Sequence, residues 1–193
     1  MKKLILLLFF SLILSSCTVN GWGDDYDKMP DHYRYRLKTL DSFQNLNQNF
    51  IYKITGEQLS EELKNHQKAV VYIFTNGSYL RLKPLQDFID FAKEKDYKLF
   101  FVMDGYMNLS QTLEELNSNP SPTFVINRNA DEDNFKPNYV SRFENRLNIN
   151  IIVKDKKITC FNCLLYFENG AFIKRIEEYS GTKPRKRITV NGK

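Results

Sequence analysis

Ala69-Val70-Val71-Tyr72-Ile73-Phe74 places six apolar residues in a row. Thr75-Asn76-Gly77-Ser78-Tyr79 follows, and then Leu82, Leu85, Ile89 and Ala92 recur at intervals of three or four. An unbroken run rich in β-branched and aromatic residues suits a strand buried on both faces. The later spacing marks one face of a helix over 80–95. A doubly buried strand that passes through a short loop into a helix is the repeating unit of a parallel α/β sheet with right-handed crossovers.

The same grammar extends in both directions. Upstream, Phe50-Ile51-Tyr52-Lys53-Ile54 reads as a strand, and Thr55 with Gln58 forms a capping box for an amphipathic helix over 56–66, with Leu59 and Leu63 inward. Downstream, Lys98-Leu99-Phe100-Phe101-Val102-Met103 is a second buried strand, ending at Asp104. Leu109, Leu113 and Leu116 mark the next helix, and Pro122-Thr123-Phe124-Val125-Ile126 the next strand. The polar stretch 128–138, with Asp131, Glu132 and Asp133, reads as an exposed loop. Val140, Phe143 and Leu147 predict a helix over 138–147, and residues 149–153 a further strand. Leu164-Leu165-Tyr166-Phe167 and Ala171-Phe172-Ile173-Lys174-Arg175-Ile176 flank Asn169-Gly170, whose two positions both tolerate positive φ, so the chain closes on a hairpin. The expected fold class is α/β, a mixed sheet flanked by helices with an insertion before the closing hairpin.

The amino terminus carries a different message. Met1-Lys2-Lys3 precedes the 11-residue apolar stretch Leu4 to Leu14, followed by Ser15-Ser16-Cys17. A bilayer-spanning helix needs about 20 apolar residues, so the stretch reads as a signal-peptide core. Leu14-Ser15-Ser16-Cys17 resembles the bacterial lipobox. That resemblance implies cleavage before Cys17, diacylglycerol on its sulfur, palmitate-type acylation and a place in the cell envelope. Thr18 stands where an aspartate would signal retention, which by the usual sorting rule favours the outer membrane. The organisation expected is a signal peptide over 1–16, a lipidated tether and amino-terminal segment over 17–49, a domain over 50–178 and a basic tail over 179–193. Within the second part, 18–30 reads as tether and 31–49 is undecided.

Cleavage would leave 177 of the 193 residues and lower the side-chain charge from +5 to +3, since Lys2 and Lys3 depart. Apolar content of 42% suffices for a packed core. The one dense basic patch, Lys183-Pro184-Arg185-Lys186-Arg187, reads first as a solvated tail and second as a site for anionic headgroups or another polyanion. Nucleic acid is not an expected partner. His32 and His66 are far apart, and neither a metal-ligand spacing, a phosphate-binding glycine loop nor a nucleophile elbow is present, so no metal or cofactor is expected.

Residues 70–92 and 164–176, in that order, resemble the strand–loop–helix unit and closing hairpin of the thioredoxin-like superfamily, and the likeness spans about 50–178. The family's redox chemistry needs two cysteines, two residues apart, at the start of a helix whose N–H groups stabilise a thiolate. Here the likeness fails. Aligning Pro84 with the family's helix proline sets Asn76 and Tyr79 at the cysteine positions, and aligning the strand sets Ser78 and Arg81 there. The resemblance therefore implies a degenerate site, and Asn76, Tyr79 and Arg81 are read as partner-binding residues. Cys160 and Cys163 have redox spacing but precede a strand rather than a helix. A structural disulfide, free packed thiols and an exchange pair all stay open for them; aligning the hairpin puts Asn162-Cys163 where the family carries its cis-proline loop. The expectation is a membrane-anchored, redox-inactive domain that binds an envelope protein, with a thiol–disulfide oxidoreductase as the rival.

Overall fold

A computed structural model describes residues 23–77, 84–116, 122–131, 135–147, 149, 162–177 and 188–189. The signal-peptide region, Cys17, Ser78, Tyr79, Arg81, Cys160 and the basic cluster 183–187 lie outside them.

Among the described residues, eight strands form one mixed sheet: β1 (Leu37–Thr39), β2 (Ile51–Ile54), β3 (Lys68–Phe74), β4 (Lys98–Met103), β5 (Thr123–Ile126), β6 (Cys163–Glu168), β7 (Ala171–Glu177) and β8 (Ile188–Thr189). Their order across the sheet is β1-β2-β5-β4-β3-β6-β7-β8. The first five are mutually parallel, and β6, β7 and β8 continue the sheet antiparallel. Helices α2 (Gly56–Leu63), α3 (Leu85–Glu94), α4 (Leu109–Leu116) and α5 (Lys136–Arg146) follow the four strands β2 to β5 in turn. A short α1 (Asp31–Arg34) precedes β1. The mixed α/β sheet flanked by helices is the fold class expected and is consistent with a thioredoxin-like arrangement; a β-α unit, β5 and α5, precedes the closing hairpin in the chain, and β5 lies between β2 and β4.

Strand alternation divides the core into two faces. Val71, Ile73, Phe100, Val102, Phe124 and Ile126 pack with Leu59 and Leu63 of α2 and Tyr139, Val140 and Phe143 of α5. Tyr72, Phe74, Phe101, Met103 and Val125 pack on the other side with Leu85 and Phe88 of α3 and Leu109 and Leu113 of α4. Because β3 carries buried side chains on both faces from Ala69 onward, its sequence had to be a continuous apolar run.

Local chemistry sets the element ends. Thr55 Oγ1 accepts from Gln58 N at 3.2 Å, and Gln58 Oε1 accepts from Thr55 N at 2.9 Å, completing the capping box at α2. Gly56 lets α2 approach α5: a Cβ there would stand 2.5 Å from the Phe143 carbonyl oxygen and 2.7 Å from Arg146 Cβ. Asn169 (φ 49°) and Gly170 (φ 78°) form the hairpin turn, both in the left-handed region.

Several boundaries differ from the sequence reading. The ordered domain begins well before residue 50, since Asp24, Met29 and Leu40 are buried and β1 pairs with β2. The tether expected over 18–30 therefore ends by Asp24. Helix α3 begins at Leu85, directly after Pro84, whose ring is compatible with a helix start. Helix α5 begins at Lys136 with Pro137 in its first turn, two residues earlier than the apolar spacing suggested. The region 179–193 is more than tail, because Ile188–Thr189 pairs with Lys174 and Arg175. Of the strand expected over 149–153, only Ile149, which is buried, falls among the described residues.

Candidate functional site

The carboxyl ends of β3, β4 and β5 meet at one edge of the sheet, the place where open α/β folds build ligand crevices. Each strand delivers a polar residue there as its apolar run stops. Thr75 follows β3, Asp104 follows β4, and Arg128 follows β5 by two residues.

Asp104 is at the centre and 1% exposed. Its amide donates to the Phe74 carbonyl at 3.0 Å, which continues the β3–β4 ladder by one step. Lys136 Nζ donates to Oδ1 at 3.1 Å, and Thr75 Oγ1 donates to Oδ2. Tyr139 Oη donates to the Asp104 carbonyl oxygen. Burial pushes the Asp104 carboxyl above its ordinary value, while the Lys136 ammonium and the Thr75 hydroxyl pull it back. The Tyr139 phenol is held far above its ordinary range by burial and by the neighbouring carboxylates. Both carboxylate oxygens of Asp104 are engaged inside the protein, so the group holds three loops together and has no oxygen turned to a substrate.

Around it the loops are tied to each other. Asn76 Nδ2 donates to the Gly105 carbonyl at 2.7 Å, and the Thr75 amide donates to Asn162 Oδ1 at 3.0 Å. Asn76 is 1% exposed, and its Oδ1 has no hydrogen-bond partner. Gly77 has φ 58°, and a Cβ on it would stand 2.4 Å from Asn108 Cβ, so this turn packs against the loop after β4.

The amino-terminal segment closes over the same edge. The Asp24 carbonyl accepts from the Tyr106 amide at 2.7 Å, and its carboxylate meets Arg128 at 2.7 Å and the Tyr26 amide at 3.1 Å. Burial raises the Asp24 carboxyl, opposed by the Tyr26 N–H and the Arg128 charge. The Tyr26 and Tyr106 rings meet edge to face at 5.5 Å.

Of the residues singled out from sequence, Asn76 belongs to this edge, but as a buried tie and not as a surface contact. Tyr79 and Arg81 lie outside the described residues. Cys163 is fully buried opposite Ile73 and is disulfide-bonded; the chain's other cysteines, Cys17 and Cys160, lie outside the described residues. Asn162 occupies the position aligned with the family's cis-proline, has φ 55°, and no cis peptide bond occurs among the described residues. The Asp104–Lys136 and Asp24–Arg128 pairs were not visible to sequence reasoning. The only signal was that an apolar run stops on a lone acid at Asp104.

At the opposite edge a pocket is lined by Phe43, Leu46, Phe100 and Phe124 with Glu62 and Lys98, where Glu62 is engaged by His66 at 2.8 Å. Among the described residues no cluster of three His, Cys, Asp or Glu could hold a metal, and no helix is long and apolar enough to cross a membrane. No protein-family model, curated protein or solved structure matches this chain.

Proposed function

We propose that this chain is an envelope lipoprotein, acylated on Cys17, whose thioredoxin-like domain has exchanged redox chemistry for protein binding. The observation that carries this reading is the state of the β3–α3 junction. A thiol-exchange site there would need an attackable sulfur beside free helix-terminal N–H groups. Instead Thr75 and Asn76 are tied into Asn162, Asp104 and Gly105. Such ties fix the backbone at Thr75 and Asn76, and a surface anchored at a fixed point binds at lower entropic cost than a mobile one. The buried, disulfide-bonded Cys163 supports the same reading, since a sulfur with no exposure offers no line of attack.

The test is a pull-down from membranes with the acylated protein, comparing the native chain with Tyr79→Ala combined with Arg81→Ala. Loss of a bound protein in the double variant is expected; unchanged capture would defeat the site assignment. Cys17→Ala should abolish fatty-acid labelling, and wild-type labelling would defeat the anchor. Turnover of a disulfide substrate, lost in Cys163→Ser, would establish the oxidoreductase reading instead.

A further inference from the structure

The way the amino terminus is docked determines how the domain is oriented. Asp24 is 4% exposed and fastened at the carboxyl edge by Arg128 and the Tyr106 amide. Only seven residue steps separate Cys17 from Asp24. Fully extended, seven residues span no more than about 25 Å. A domain of this size is about 40 Å across by the usual scaling of radius of gyration with length. If the amino edge of the sheet lay on the bilayer, Asp24 would stand near the far pole, beyond the reach of that tether.

The exposed large apolar side chains sort along the same axis. Four are found among the described residues: Tyr35, Met107, Phe135 and Ile173. Met107 is in the loop after β4, next to Tyr106, which holds Asp24. Phe135 immediately precedes Lys136, which reaches Asp104 on that same edge. Tyr35 lies just before the start of β1, and Ile173 just after the hairpin turn whose strand partner Glu168 pairs with the start of β3, so both are towards the amino edge. Single exposed apolar residues carry little meaning. Two of them beside the point where the tether docks fall where a lipid surface would meet them.

We infer that the domain stands on the bilayer on the carboxyl edge of its parallel strands, with Met107 and Phe135 against the lipid headgroup layer. The inference rests on acylation at Cys17 and adds to it a defined face.

The experiment uses the full acylated chain in phosphatidylethanolamine–phosphatidylglycerol vesicles. Trp22, the only tryptophan, is replaced by Phe, and single tryptophans are introduced as Met107→Trp, Phe135→Trp, Tyr35→Trp and Ile173→Trp. Vesicles containing lipid brominated near the headgroup end of the acyl chain quench only tryptophans close to them. At least a twofold loss of fluorescence is expected at 107 and 135, with no loss at 35 and 173. Flotation with the vesicles is measured on the same samples. Protein that floats but shows equal or no quenching at all four positions overturns the orientation and leaves the anchor standing. Protein that neither incorporates labelled fatty acid nor floats overturns both.

Discussion

Replacing Lys136 by Met tests whether the carboxyl edge depends on its buried ion pair. Nζ lies 3.1 Å from Asp104 Oδ1, with the two side chains 8% and 1% exposed. At that distance the attraction is about 5 kcal/mol for an effective dielectric constant of about 20. Desolvation opposes it, and for Asp104 burial outweighs the help from Lys136 and Thr75, since its carboxyl is raised. The intact pair therefore contributes little net stability, whereas stranding one partner costs about 3–5 kcal/mol. Lys136→Met and Asp104→Asn should each destabilise by about 3 kcal/mol in urea unfolding, about 6–12 °C in melting temperature for a chain of this size. The double variant should lose no more than either single one, a coupling that reports a shared interaction. The pH dependence has a definite sign. Because the folded value of Asp104 lies above its ordinary 3.8, the stability linked to its protonated form is complete below pH 3.8 and is lost as pH rises through the raised native value. Asp104→Asn should lack that fall, and Lys136→Met should extend it to higher pH. Additive single losses, or an Asp104→Asn profile parallel to the wild type, would refute the reasoning.

Three further outcomes follow from local geometry. Gly56→Ala should destabilise by about 1–3 kcal/mol in chemical denaturation, although Gly to Ala in a helix ordinarily gains up to about 1 kcal/mol, because the new Cβ meets the Phe143 carbonyl. Thr55→Ala should cost about 1 kcal/mol in thermal melts through loss of the capping bond to Gln58. Asn76→Ala should cost about 1–3 kcal/mol by leaving the buried Gly105 carbonyl unpaired, and hydrogen exchange should quicken in the loops after β3 and β4.

The sheet was legible wherever burial imposed a pattern. Val70 to Phe74 and Phe100 to Met103 had to be apolar because helices cover both faces, and Asn169-Gly170 had to tolerate positive φ. Strand β1 was not legible, since Leu37-Lys38-Thr39 is three residues long and partly exposed, too short to show a period. Apolar spacing starts helix α5 two residues late because Lys136, a buried lysine, reads as loop without its partner Asp104, 32 positions away. The edge itself escaped for the same reason. Periodicity reports which side chains face the core, but not which distant acid and base meet at the ends of the strands. The strand–helix junction points to Asn76, yet its role as an inward tie depends on the Gly105 carbonyl, which no side-chain pattern encodes.

The position of β5 between β2 and β4 also governs the timing of assembly. Residue 51 pairs with residue 123, so the inner neighbour of β2 lies 72 positions further along the chain, whereas β3 pairs with β4 across 29 positions, Ala69 to Lys98. Early strands whose partners come late make folding slow, because the long loop must be closed before the contact can compensate. A chain that emerges in order, from a ribosome or across a membrane, delivers β2 before its inner neighbour. During that interval Ile51 to Ile54 presents an unpaired backbone edge on its inner side, and an open edge is the place where a nascent chain pairs wrongly.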